Sequence, residues 1–333
     1  MSLVLGVDGG GRKTYAVVVD EDGAVRGVGE AGASNWEISG ESGAGAAIAS
    51  AVGTALEQAG ASPEAIAATA LGLAGMDWPS DQPRLNDLVG PVIPAGPRRI
   101  VNDAFIALRA GTSESWGIAL IAGTGTVAVG RDPVGNEFRT IGEGRIFGDF
   151  GDEFDVSELA VRAVADQFTG RGPATMLTEM LLERLGEPTA EAMLERLARH
   201  DPRLRSPELQ NLAAMVLAAT EGGDLVARTV LERIGEALGE AAGVVARRLN
   251  LSNLPVEVVL AGGLFRTPNR YLLDELELGV RRTAPRAEVR LLNAPPVVGA
   301  ALLALELARV PVTGNAAVRL RSEATARFWG QSS

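Results

Sequence analysis

The sequence of 333 residues contains no cysteine. That excludes disulfides, a thiolate nucleophile, and any zinc or iron–sulfur centre held by thiolates. There is one histidine, His200. A metal site built on imidazoles is therefore excluded by count, and His200, in Leu-Ala-Arg-His-Asp-Pro, reads as a helix-terminal residue. Aromatic residues make up only 4% of the chain against 41 glycines, which suits an alanine- and glycine-rich α/β protein rather than an aromatic-lined binding module. No run of eighteen apolar residues occurs, so no membrane-spanning helix is expected. The first strand starts almost at the N-terminus, and a cytoplasmic protein without a targeting signal is expected. Positive charge is also scarce, with 31 basic against 42 acidic residues and a net charge of −11. Nucleic acid and anionic membrane are poor partners for such a chain. The pairs Arg98-Arg99, Arg247-Arg248 and Arg281-Arg282 are scattered and read as solvated surface.

Lysine is nearly absent too, and the one lysine is placed tellingly. Lys13 follows Asp8-Gly9-Gly10-Gly11-Arg12 and precedes Thr14, between two β-branched runs that read as a hairpin. Three consecutive glycines let backbone N–H groups approach a bulky anion with no Cβ in the way. A compact ammonium suits a phosphate. The loop can hold a polyphosphate with its magnesium; alone it could equally be an ordinary glycine turn. It is not a Walker loop, which needs Gly directly before Lys-Ser/Thr and then a helix. Nor is it a dinucleotide fingerprint, which also opens a helix.

Beyond this hairpin the pattern predicts a third strand over 24–30, a polar loop over 32–37 and a small-residue helix over about 41–60. A strand near 67–73, a short helix over 81–89, a strand over 99–103 and a helix over 104–110 follow. This is one compact α/β unit. The pattern then restarts about 115 residues on with a second strand, glycine turn and strand around Gly123, Thr124, Gly125 and Thr126. A helical insertion is expected over about 152–249. Then come a strand over 256–261, the turn Gly262-Gly263, a helix near 269–284, a strand over 288–292, a helix over 296–309 and a helical tail over 314–329. Domains are thus expected at 1–113, joined by 314–329, and at 114–312.

Taken in order, these residues resemble the actin-like ATPase superfamily of sugar kinases, actin and heat-shock chaperones. Within it they look most like the N-acetylglucosamine kinase branch grouped with the BadF/BadG/BcrA/BcrD ATPases. The resemblance implies an α/β fold of two actin-like ATPase (ribonuclease H-like) domains with a cleft between them. It implies ATP as phosphoryl donor, Mg2+ held through water by Asp8, and phosphate contacts from Gly9, Gly10, Gly11, Lys13, Thr14, Gly123, Thr124 and Gly125. The adenosine motif falls on Gly262 and Gly263. The catalytic aspartate falls on Asp103, and sugar contacts on Asn35, Trp36, Asn102, Asp103 and Asp149. The implied reaction is phosphorylation of the 6-hydroxyl of N-acetylglucosamine, with glucosamine, N-acetylmuramic acid or another hexose as alternative acceptors. The same group contains ATPase activators of radical enzymes, whose cluster cysteines this chain lacks, and sugar sensors. A homodimer would be unsurprising for the family.

The chain departs from the family pattern at Arg12, where Thr is usual, and at Glu143, where Gly-Trp-Gly reads Gly-Glu-Gly. It departs again at Phe150, which replaces an acid, and at Asp152 and Glu153, which replace small residues. Each site residue also has a plainer explanation. Asp103 could cap its helix, Asp149 could form an Asx turn, Trp36 could be packing, and Gly262-Gly263 could be a tight turn.

Overall fold

The structure is a computed structural model that describes residues 2–201, 209 and 212–330. It is an α/β protein with two five-stranded sheets. Chain contacts divide it into two units. The first holds the residues up to Ala119, Val129–Asn136 and the chain from Arg290 onward; the second holds Leu120–Ala128 and Glu137–Val289.

In the first unit, β1 (Leu3–Gly9), β2 (Thr14–Asp20) and β3 (Val25–Ala31) form an antiparallel meander. Then α1 (Trp36–Ala59) returns the chain to β4 (Ile66–Leu73), parallel to β1, and α2 (Asp81–Val89) leads to β5 (Arg98–Asn102), parallel to β4. The strand order is β3-β2-β1-β4-β5. The central strands β1 and β4, with β2 beside them, are largely apolar on both faces because both faces are covered. Leu5, Val7, Ala16 and Val18 point to a core shared with Ile48, Val52 and Leu85 of α1 and α2. Val4, Val17 and Val19 point the other way, to a core shared with Ile106, Val298 and Leu302. Those belong to α3 (Asp103–Gly111) and α10 (Val297–Leu307). The backbones approach closely there. A Cβ on Gly6 would stand 2.5 Å from the Ala301 nitrogen, and one on Gly299 would stand 1.8 Å from the Ile106 oxygen.

The first helix begins earlier than the expected 41, because the Asn35 side chain caps it by accepting from the Glu37 N–H at 2.9 Å. The backbone leaves helical geometry at Gly40 (φ 68°), so only the part beyond it matches the sequence pattern. The tail forms α11 (Gly314–Phe328), which packs in the first unit. Arg321 on it donates to Ala110 O at 2.9 Å and to Thr112 O at 2.6 Å. Segment 290–312, which the repeat pattern groups with the second half, also packs with the first unit. Its helix α10 is apolar all round as far as Leu305 and fills the uncovered face of the first sheet.

The second sheet contains β6 (Gly117–Ala122), β7 (Thr126–Arg131), β8 (Glu137–Arg139), β9 (Glu257–Ala261) and β10 (Glu288–Leu291), in the order β10-β9-β6-β7-β8. Among the described residues, five α-helices occupy the expected insertion. They are α4 (Glu153–Phe168), α5 (Met176–Leu185), α6 (Ala190–His200), α7 (Leu212–Glu221) and α8 (Leu225–Arg248). Residues 202–208, 210 and 211 of that insertion lie outside the described ones. His200 ends α6, as expected. After β9, α9 (Arg270–Thr283) packs along α8. No helix among the described residues is long and apolar enough to cross a membrane.

Candidate active site

In the first unit, three parallel strands end in register. Gly9 stands opposite Leu73, and Leu73 opposite Asn102. Ligands of open α/β sheets gather at such carboxyl ends. Each end carries one of the motifs: the glycine hairpin after β1, the loop of residues 74–77 after β4, and Asp103 after β5.

The hairpin closes with the Gly10 N–H donating to Lys13 O at 3.0 Å, which leaves Gly11 and Arg12 at its exposed tip. The Gly10 carbonyl accepts from the Ser34 and Asn35 N–H groups at 3.0 and 3.3 Å, tying the loop of Asn35 and Trp36 to the hairpin. Two expected phosphate ligands, Thr14 and Lys13, are engaged with other protein groups. Thr14 is fully buried; its hydroxyl donates to Gly32 O at 2.7 Å and lies 2.8 Å from Ser34 Oγ. Its hydroxyl therefore braces the two loops instead of facing a ligand. Lys13 is exposed and its ammonium pairs with Glu30 at 2.5 Å, across the strand from Tyr15.

Asp8, one residue before the glycines, lies near enough to Asp103 to feel its charge. Burial, and after it the Asp103 charge, push the Asp8 carboxyl up to about 7. Two carboxylates held this way form a site that a cation relieves. Among the described residues no group of three or more metal-ligating side chains occurs. One or two carboxylates, with the remaining places filled by water and phosphate oxygens, is the usual protein donor set for magnesium, so the residues fit that ion.

Asp103 is the first residue of α3, but it does not cap the helix. Asn102 does, its Oδ1 accepting from the Ala104 N–H at 3.0 Å while its Nδ2 donates to Asp77 Oδ1 at 2.9 Å. Asn102, expected to bind sugar, thus has both ends of its amide engaged inside the protein. Trp36 donates from Nε1 to Gly75 O at 2.8 Å, and the Arg84 guanidinium lies 4.3 Å from its ring centre. Gly75 has φ +84°, and a Cβ there would stand 2.7 Å from the indole nitrogen. The loop of Gly75 and Asp77 had no role in the sequence reading. Its signal was there to find, since it follows a strand end just as Asp103 does.

In the second unit, residues 123–125 turn between β6 and β7, with the Gly123 N–H donating to Gly125 O at 3.0 Å. Thr124 and Gly125 are exposed. Gly123 O accepts from the Glu153 N–H at 2.9 Å at the start of α4, and Gly262 and Gly263 lie alongside. A Cβ on Gly262 would meet the Ala122 oxygen at 2.2 Å, and one on Gly263 would meet Glu153 Oε1 at 2.0 Å. The second glycine turn, the expected adenosine motif and the unusual acid Glu153 therefore form one cluster. Beside it, burial pushes the Asp152 carboxyl up to about 6 against the bond from the Asp155 N–H.

Asp149 lies on the loop of residues 142–151, and its Oδ2 accepts from the Glu143 N–H at 3.0 Å. That loop is fixed to α4 by Arg145, which pairs with Asp155 and Glu158 at 2.6 and 2.5 Å and covers the Phe150 ring at 4.9 Å. Asp149, Phe147 and Phe150 line a cavity of about 600 Å3 together with Phe138 and Val244.

The chain is 29% identical over 304 residues to an N-acetylmuramic acid/N-acetylglucosamine kinase of Clostridium acetobutylicum, covering 91% of this chain and 98% of that one. It is 29% identical over 317 residues to an N-acetyl-D-glucosamine kinase of Dictyostelium discoideum, with the same coverage. Among solved structures, a candidate N-acetylglucosamine kinase of Chromobacterium violaceum superposes with a TM-score of 0.66 at 26% identity, over 91% of this chain and 99% of that one. A glucokinase of Streptomyces griseus, solved with glucose and AMPPNP, shares the fold at a TM-score of 0.55 and 21% identity, over 92% and 100% of the two chains. The pattern of the BadF/BadG/BcrA/BcrD ATPases matches residues 5–304, and the chain belongs to that family.

Proposed function

We propose that this protein transfers the γ-phosphoryl group of ATP to the 6-hydroxyl of N-acetylglucosamine. The enzyme is an ATP-dependent sugar kinase, and its relatives by name act on amino sugars. The observation that carries the reading is the closeness of Asp103 to Asp8 at the carboxyl ends of two parallel strands, β5 and β1, that flank β4, beside the glycine hairpin.

Phosphoryl transfer needs positioning and charge neutralisation more than covalent chemistry. Asp103 orients the sugar hydroxyl and accepts its proton as the oxygen bonds to phosphorus. With a loose transition state the proton leaves late, so a carboxylate of modest basicity suffices. The N–H groups at the tip of residues 9–13 and those of Gly123, Thr124 and Gly125 receive phosphate oxygens. Lys13 joins them by leaving Glu30, an exposed pair of small net worth. Magnesium held through water at Asp8 would offset the charge of the β- and γ-phosphates. Asn35, Trp36 and Asp149 contact the sugar, and Gly262 and Gly263 flank the adenosine. Thr14 and Asn102 support the site from inside the fold.

N-acetylmuramic acid is the second acceptor to try, because the Clostridium relative carries it in its name. The test is ADP release with and without a panel of amino sugars and neutral hexoses. A sugar kinase releases ADP only when a sugar is phosphorylated; an ATPase releases it without one, and a sensor releases none. Asp103→Ala should lower kcat by about 10²–10⁴. An intact rate in that variant would end the assignment.

A further inference from the structure

The loop after β4 joins three parts of the site. The Ala74 N–H donates to Gly9 O at 2.8 Å, Gly75 O accepts from Trp36, and Asp77 accepts from Asn102. The loop is itself anchored, since the Asp77 and Trp78 N–H groups donate to Asp81 Oδ2 at 3.1 and 2.7 Å in the first turn of α2.

The two ends of an asparagine amide are nearly alike in shape and opposite in chemistry. Packing alone therefore selects weakly between the two orientations of Asn102. Hydrogen bonding selects strongly, because the Ala104 N–H requires an oxygen and an ionised Asp77 requires a donor. A flipped amide would set donor against donor at Ala104 and oxygen against oxygen at Asp77. Both contacts are half-buried or buried, where such mismatches are costly.

We infer that Asp77 is a positioning residue: it locks the amide of Asn102 and, through that cap, the first turn of α3 that carries Asp103. The inference rests on the assignment of Asp103 as the group that aims the sugar hydroxyl. The loop that carries Asp77 also meets the glycine hairpin through the Ala74 N–H and the Trp36 ring through the Gly75 carbonyl. A displacement of the order of 1 Å at a reacting group costs about 10²-fold in rate.

The test compares variants in kcat, in KM for ATP and in melting temperature. Asp77→Ala should lower kcat by about 10- to 100-fold. KM for ATP should stay within about threefold, because both glycine turns are untouched. Asp77→Asn keeps an acceptor oxygen toward Asn102 and should retain most of kcat. Asn102→Asp alone preserves the cap but sets carboxylate against carboxylate, and kcat should fall by about tenfold or more. The double variant Asp77→Asn with Asn102→Asp exchanges the two groups and should recover to within about threefold of the parent. A purely structural role would lower the melting temperature while leaving kcat per folded enzyme intact. Full kcat in Asp77→Ala, or a double variant no better than Asn102→Asp, would overturn the inference. If Asp77→Ala does not fold, the exchange pair decides. A parent protein that phosphorylates no sugar would instead overturn the functional assignment, and the two failures are distinguishable.

Discussion

Asp8 lies in a strand whose other side chains are aliphatic, and its charge is held there at the expense of stability. Its carboxyl titrates near 7 in the folded protein and near 3.8 when unfolded. Between these values the folded state binds the extra proton, so stability falls as pH rises from about 4 to about 7, and the loss is complete above that. Asp8→Asn removes the penalty. The ligand-free variant should melt higher than the parent at pH 8, match it near pH 4, and lose phosphorylating activity. Thermal denaturation at both pH values checks this, and no gain at pH 8 would show that Asp8 carries no such burden. The positions of Asp8 and Asp103 were legible from the chain because an acid at the end of an apolar run stands out. The engagements of Lys13, Thr14 and Asn102 were not. Each depends on a partner far along the chain (Glu30, Ser34 and Asp77), brought near only by strand pairing.

Among the elements, α10 decides most of the packing of the first unit. It lies against β1, β4 and α3, the helix of Asp103, and Gly6 and Gly299 permit the contact. Arg109 on α3, only 5% exposed, pairs with Glu306 on α10 at 2.7 Å and reinforces the same contact. Gly299→Ala drives a methyl into the Ile106 carbonyl and should cost about 3 kcal/mol, read as a lower denaturation midpoint with an unchanged slope. A midpoint within error of the parent would mean that the helices part easily. Both hairpins, the glycine turns and most helices could be read from local periodicity and turn residues. The destination of α10 could not, since an element apolar on every side does not say which neighbour it covers. Nor could the break at Gly40, where the Asn35 cap starts a turn that the apolar pattern does not mark.

For the molecule as a whole, the chain passes between the two units at 119/120, 128/129, 136/137 and 289/290. Neither unit is a contiguous piece of sequence. A fragment ending at Val289 lacks α10 and α11 and leaves only α3 on the face of the sheet that carries Val4, Val17 and Val19. Such a fragment should not give a cooperative unfolding transition, whereas the full chain should, as calorimetry would show. A sharp transition in the fragment would mean that the sheet stands without its second cover. The order of synthesis makes the same arrangement matter in time. The last strand of the first sheet leaves the ribosome roughly 195 residues before α10 starts, a wait of about 10–40 s at ordinary elongation rates. Throughout that interval a nascent sheet displays a valine-rich surface with only α3 on it, so newly made chains should depend on holding chaperones until translation is nearly finished.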